Sequence, residues 1–233
     1  LPLQVWTVEE LKKIAEICIR RNLICLADEV YEWVVFPPNK HYKISSFPGM
    51  WNRTLTIGSA GKTFQVTGWK IGWTVGPERY INAMSIIQQN TVYTCATPLQ
   101  EALALTIEQE LPLLGTEQSF FHYITQEVMR KSRRVAEALK KVGMPAIIPQ
   151  GGYFLMASIE KMPLPANSTG SGEKSTKDVA FNDWMIVNKG VAAVPPTVFC
   201  CTKHQHLFEN YLRFCIIKDD ATIDKFVERL NNW

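Results

Sequence analysis

The chain has six cysteines, Cys18, Cys25, Cys95, Cys200, Cys201 and Cys215, but no CxxC pair. Thiolate metal sites and disulfide frameworks are built on regular cysteine spacing, so neither is expected; free thiols in a reducing compartment are. The vicinal pair Cys200–Cys201 admits a redox switch, with bystander thiols the simpler reading. Histidine is scarce, at four residues, and the near pair His204 and His206 has no third ligand nearby, so a solvated loop is expected there and no metal. No apolar stretch approaches the ~18 residues of a membrane helix, and the start lacks the basic and apolar regions of a signal peptide. No membrane partner is expected, and the reading is a soluble, cytoplasmic protein with the mitochondrion as the alternative. A net charge of +3, without Lys/Arg runs interleaved with aromatics, excludes a nucleic-acid surface. Internal repeats are also missing. What is present is 46% hydrophobic and 20% charged residues, the balance of a packed domain with a small-molecule partner.

The order of patterns points to α/β architecture. Thr7 and Glu10 form a capping box ahead of Leu11, Ile14, Ile17 and Cys18 at helical spacing, which predicts a helix ending at Asn22. The apolar run 23–30 reads as a buried strand of a parallel sheet, with Asp28 and Glu29 near its end. Further strands are expected at 54–57 and 69–75, helices at 80–89 and 98–110, and then a long amphipathic helix with Phe121, Ile124, Val128, Val135, Leu139 and Val142 on one face. After Gly143 come strands at 146–148, 152–158, 192–194 and 212–217 with helices at 179–188 and 222–231, a small α+β unit. The Ser-, Thr-, Gly- and Lys-rich stretch 166–177 reads as a mobile surface loop. The expected division is 1–115, 116–142 as a connecting helix, and 143–233.

The chemistry concentrates around Ser59-Ala60-Gly61-Lys62-Thr63-Phe64. A P-loop would need glycine five residues before Gly61, where Thr56 stands, and a helix after Thr63, where the chain runs into Gly68. A lysine among small residues after a strand can instead approach a bound carbonyl and form an imine. Asp28 and Tyr31 follow an earlier strand, and Lys70 lies downstream.

This set resembles the fold-type I aminotransferases, and most specifically the kynurenine aminotransferase family, also known as glutamine transaminase K and cysteine-conjugate beta-lyase. The residues that carry the likeness are Ala27-Asp28-Glu29-Val30-Tyr31, Pro48-Gly49-Met50-Trp51, 58–64, Thr67-Gly68-Trp69-Lys70, Gly72-Trp73, Gln89-Asn90, Gly151-Gly152-Tyr153-Phe154 and Arg213-Phe214-Cys215. The resemblance implies the later part of a pyridoxal 5′-phosphate (PLP)-binding large domain with a mostly parallel sheet, followed by a small α+β domain. It implies that Lys62 bonds to PLP and moves the proton at the substrate Cα. Asp28 would pair with the pyridinium nitrogen and Tyr31 with the phenolic oxygen, while Ser59 and Lys70 contact the phosphate and Arg213 clamps the substrate carboxylate. Tyr93 and Thr94 would reach into a partner's pocket in a homodimer. The substrates implied are kynurenine, glutamine or related aromatic and sulfur amino acids with a 2-oxo acid, and cysteine S-conjugates for β-lyase activity.

The likeness departs at the start, where Leu1-Pro2-Leu3-Gln4 stands in place of an Asn-Pro-x-Gly segment. The family's upstream region, with its phosphate-holding helix N-terminus and ring-stacking aromatic, has no counterpart in the chain. The sequence also opens on Leu1 without a Met, so it reads as a piece of something longer, and the 233 residues taken alone are expected to be inactive. The alternative function is a non-catalytic chain acting by association.

Overall fold

The computed structural model describes residues 4–163 and 175–233. The departure at Leu1 to Leu3 and most of the expected loop at 166–177 lie outside the described residues. The chain divides into two compact units, Val5–Thr125 and Gln126–Trp233 with Gln4.

The first unit opens with α1, Val8–Arg20. Its capping box is formed, with the Glu10 amide donating to Thr7 Oγ1 at 3.2 Å and the Thr7 amide to Glu10 Oε2 at 2.8 Å. Leu11, Ala15 and Cys18 bury one stripe of α1 against Ile44 and Met50, and Cys25, Ala27 and Phe47 pack on that cluster. The sheet order is β1 (Cys25–Asp28), β2 (Thr54–Ser59), β3 (Gly72–Val75). β1 runs parallel to β2 and β3 antiparallel to it, so one of the two pairings is parallel. Immediately after β2 comes the single-turn α2, Ala60–Thr63. A second cluster gathers Ala60, Ile71 and Leu103 with Phe64, Trp69, Trp73 and Cys95. Helices α3, Glu78–Thr91, and α4, Thr97–Glu110, follow.

Two expectations need correction here. The run 23–30 is not a buried strand: only Cys25–Asp28 pair, and Leu26 is 68% exposed. The reason is alternation, because Cys25 and Ala27 face the α1 cluster while Leu26 points to the other face of the sheet. Residues 69–71 precede β3 because Thr67–Trp69 forms a 3-10 turn and Lys70 takes a left-handed conformation, φ 56°. All six cysteines are free; Cys18 is buried and Cys201 exposed.

In the second unit, β4 (Ala146–Ile147), β5 (Phe154–Ser158) and β6 (Tyr211–Cys215) form an antiparallel sheet in that order. Helix α5, Phe120–Lys141, runs across the division between the units; its Val128, Val135 and Leu139 are buried. Helices α6, Lys177–Lys189, and α7, Asp220–Asn231, complete it. Asp219 caps α7 by accepting from the Thr222 amide at 2.7 Å. Asp178, fully buried at the start of α6, accepts from both the amide and the hydroxyl of Thr197 at 3.0 Å. The expected strand at 192–194 is reduced to one bridge, Val194 to Arg213, because the proline pair Pro195–Pro196 has no N–H to extend a ladder. No helix among the described residues is long and apolar enough to cross a membrane.

Candidate functional site

The sheet of the first unit brings four of the predicted residues to one end. Asp28 is the last residue of β1 and pairs with Ile57 of β2. Ser59 ends β2 two residues later, and Lys62 follows in α2. Ser59 pairs with Gly72 at the start of the antiparallel β3, which places Lys70 just outside the same end. The Ala60 amide donates to the Ile71 carbonyl at 3.1 Å, tying the turn that carries Lys62 to the segment that carries Lys70. Residues bearing a carboxylate, a hydroxyl and two amines thus lie at or just beyond the C-terminal ends of two parallel strands, where open α/β sheets bind their ligands.

The small residues around Lys62 are needed for space. A Cβ on Gly58 would lie 2.2 Å from Trp73 Nε1, and one on Gly61 would lie 2.9 Å from Thr67 Cα. Ser59 is the residue before α2, yet its hydroxyl makes no capping hydrogen bond, so it remains available to a ligand. Backbone strain clusters here as well. The described non-glycine residues with positive φ are Asn22, Gln65, Lys70 and Tyr93; Gln65 lies three residues beyond Lys62, and Lys70 and Tyr93 are themselves predicted site residues. Left-handed backbone at ordinary residues costs roughly 1–3 kcal/mol and concentrates at functional sites.

Tyr31 sits in the turn after β1, half-buried, with the Val34 amide donating to its carbonyl at 3.0 Å. Tyr93 and Thr94 lie between α3 and α4, with Tyr93 75% exposed. Cys95, the next residue, packs in the Ala60 cluster and its thiol approaches the Lys70 carbonyl at 4.0 Å. Arg213 belongs to the other unit, on β6 opposite Met156. It forms no ion pair among the described residues; its Cζ lies 4.2 Å from the Phe154 ring centroid and 4.5 Å from that of Phe199.

One group beside the site was not foreseen. Glu29, next to Asp28, is buried, and its Oε2 lies 3.0 Å from His41 Nε2 and 3.3 Å from Lys43 Nζ. Lys43 also pairs with Glu32. Burial works to raise the Glu29 carboxyl, but the hydrogen bonds and charges of His41 and Lys43 outweigh it and hold Glu29 below the ordinary carboxylate range. Glu29, Glu32 and His41 could bring three ligand atoms together, yet Lys43 already pairs with both carboxylates, so the group is an ion-pair network. The backbone at Glu29 is held as well: its amide donates to the Ile57 carbonyl at 3.1 Å and the Glu32 amide to the Glu29 carbonyl at 3.0 Å, pinning the turn that carries Asp28 and Tyr31. The only sequence signal was the adjacent Asp28-Glu29 pair. His204 and His206 lie on an exposed 3-10 segment and join no ligand group among the described residues.

The family profile for aminotransferase class I and II matches residues 4–230. Kynurenine–oxoglutarate transaminase 3 of Bos taurus is 44% identical over 230 residues, covering 99% of this chain and 50% of the relative. Among solved structures, Bna3p from Saccharomyces cerevisiae aligns with a TM-score of 0.89 at 32% identity, over 99% of this chain and 55% of that one. N-succinyldiaminopimelate aminotransferase from Mycobacterium tuberculosis aligns at 0.82 with 33% identity, over 98% and 54%. The chain spans about half the length of the curated relatives it matches.

Proposed function

Since the chain belongs to the aminotransferase class I and II family, whose members depend on pyridoxal 5′-phosphate, we propose that it carries the lysine half of a PLP site. The protein it represents would move an amino group from kynurenine, glutamine or related aromatic and sulfur amino acids to a 2-oxo acid. The observation that carries this reading is the placement of Asp28, Ser59, Lys62 and Lys70 at one end of a single sheet.

The residues fit the group. Ser59 supplies an uncommitted hydroxyl and Lys70 a cation, a pairing suited to a phosphate. Asp28 supplies a carboxylate to hold a proton on a ring nitrogen, and Tyr31 a phenol to donate to a ring oxygen. When bound, PLP supplies an electron sink for the bonds at the substrate Cα. Lys62 would anchor it covalently and then, as a free amine, take and return the proton at Cα. Arg213 would bind the substrate α-carboxylate through two N–H groups, which a lysine could not match. The same proton removal supports loss of a leaving group from Cβ, and hence β-lyase activity on cysteine S-conjugates.

Tyr93 and Thr94, exposed between two helices, would complete the pocket of a second copy in a homodimer. Six free thiols favour a reducing, cytoplasmic setting. The 233 residues by themselves would not turn over substrate; the exposure of the large apolar side chains Leu26, Ile86 and Ile87, at 68%, 64% and 63%, supports this reading, since exposed apolar surface commonly marks a face that another segment or chain covers.

The test is to load the protein with PLP, reduce it with borohydride and map the modified peptide. Label on Lys62 is the expected result. Label on Lys70 would overturn the assignment.

A further inference from the structure

Arg213 is a cation whose backbone is fixed while its charge has no ion-pair partner among the described residues. Its amide donates to the Val194 carbonyl at 3.0 Å, and the Val194 amide donates to its carbonyl at 2.9 Å. Its Nε is buried and donates to nothing among the described residues. What touches the guanidinium is aromatic: Cζ lies over the ring of Phe154 at 4.2 Å and over that of Phe199 at 4.5 Å. Phe199 is 58% exposed, so core packing does not account for its position, and it sits on a short 3-10 segment, Pro196–Phe199.

An aromatic face attracts a cation through its quadrupole without accepting a conventional hydrogen bond. A neighbouring carboxylate would hold the same cation by consuming the N–H groups that a ligand needs. The two rings therefore do what an ion pair cannot: they locate the charge and leave its donors unspent.

We propose that Phe199, together with Phe154, is a positioning residue that holds the Arg213 guanidinium with its N–H edge free for the substrate's α-carboxylate. This rests on the reading of Arg213 as the carboxylate clamp. Phe199 itself would touch neither the cofactor nor the reacting bonds. Its loss would weaken carboxylate binding and leave the chemical step alone.

The test compares Phe199→Ala, Phe199→Leu and Phe199→Tyr with Arg213→Ala in the PLP-loaded holoenzyme. In Phe199→Ala the KM for both amino acid and 2-oxo acid should rise about tenfold, equivalent to ~1.4 kcal/mol. The kcat should stay within about twofold and the visible spectrum of the cofactor should be unchanged. Phe199→Leu should behave like the alanine variant, because it restores apolar volume without a π face; Phe199→Tyr should recover the wild-type KM. A second readout needs no cofactor. The Nε–H resonance of Arg213 in ¹⁵N-labelled protein should be sharp and shift on titration with pyruvate in the wild type, and broaden in Phe199→Ala. An unchanged KM and resonance in Phe199→Ala would overturn the proposal, as would a leucine variant equal to wild type or a collapse of kcat. If Arg213→Ala itself left KM unchanged, the fault would lie in the reading of Arg213 as the clamp.

Discussion

Replacing Glu29 by Gln should destabilise the Val5–Thr125 unit by about 1.5–2 kcal/mol at pH 7, the lower part of the range for hydrogen bonds to charged groups. The Glu29 side chain is 8% exposed and its Oε2 lies 3.0 Å from His41 Nε2 and 3.3 Å from Lys43 Nζ, so the variant gives up a buried charge with two cationic or donor neighbours. The upper part of the range is excluded because Lys43 is 47% exposed and keeps Glu32 as a partner, and because Gln retains one accepting oxygen. With a urea dependence of ~1–3 kcal/mol per molar, the unfolding midpoint should fall by roughly 1 M. Tryptophan fluorescence suits the measurement, since Trp6, Trp33, Trp51, Trp69 and Trp73 belong to this unit. The pH dependence is the sharper discriminator. Although burial pushes the Glu29 carboxyl up, His41 and Lys43 hold it below its ordinary value in the folded chain, so its contribution is present above the unfolded value of ~4.3 and lost as pH falls through the folded one. The midpoint gap between wild type and variant should therefore be near full size at pH 6 and shrink below about pH 4.3. Equal midpoints at pH 7, or a gap that widens on acidification, would refute the reasoning.

Asp28→Ala should lower kcat of the cofactor-loaded enzyme by about tenfold or more with little change in thermal stability; a loss within about twofold, roughly 0.4 kcal/mol, would contradict its role. Asp178→Ala should cost the Gln126–Trp233 unit roughly 2–4 kcal/mol, because the buried amide and hydroxyl of Thr197 would both lose their acceptor; hydrogen exchange at Thr197 checks it, and unchanged protection would count against it. Gly58→Ala puts a methyl 2.2 Å from Trp73 Nε1, so the ring must move or the β2–β3 pairing open, at about 1–3 kcal/mol. A wild-type melting curve for that variant would show that Trp73 yields freely.

Much of the first unit was legible because its cues are local. Thr7 and Glu10 announce α1 three residues apart, and Pro98 near the N-terminus of α4 marks its start. The Asp28, Ser59 and Lys62 placements follow from strands that end in polar residues and a small-residue turn. The misreadings came where local pattern and tertiary environment part. Leu23, Ile24 and Leu26 look like core in one dimension, yet each is exposed: Leu23 and Ile24 precede the paired residues of β1, and Leu26 points to the face opposite Cys25 and Ala27. Residues 192–194 have strand composition but only one bridge. The Glu29 network joins positions 12 and 14 residues apart across an irregular loop, a separation that neither helical nor strand periodicity samples. The two rings against Arg213 reach it from 59 and 14 positions away, which no motif encodes.

Lys70 sets two selection pressures against each other. Its backbone, at φ 56° and ψ 37°, is the conformation that glycine and asparagine adopt with least cost, so a screen for thermal tolerance alone should drift toward those residues at this position. A screen for phosphate capture should hold the lysine and accept the strain. Libraries of this chain evolved under the two regimes would therefore diverge first at position 70, and the residue recovered there would report which pressure had been applied.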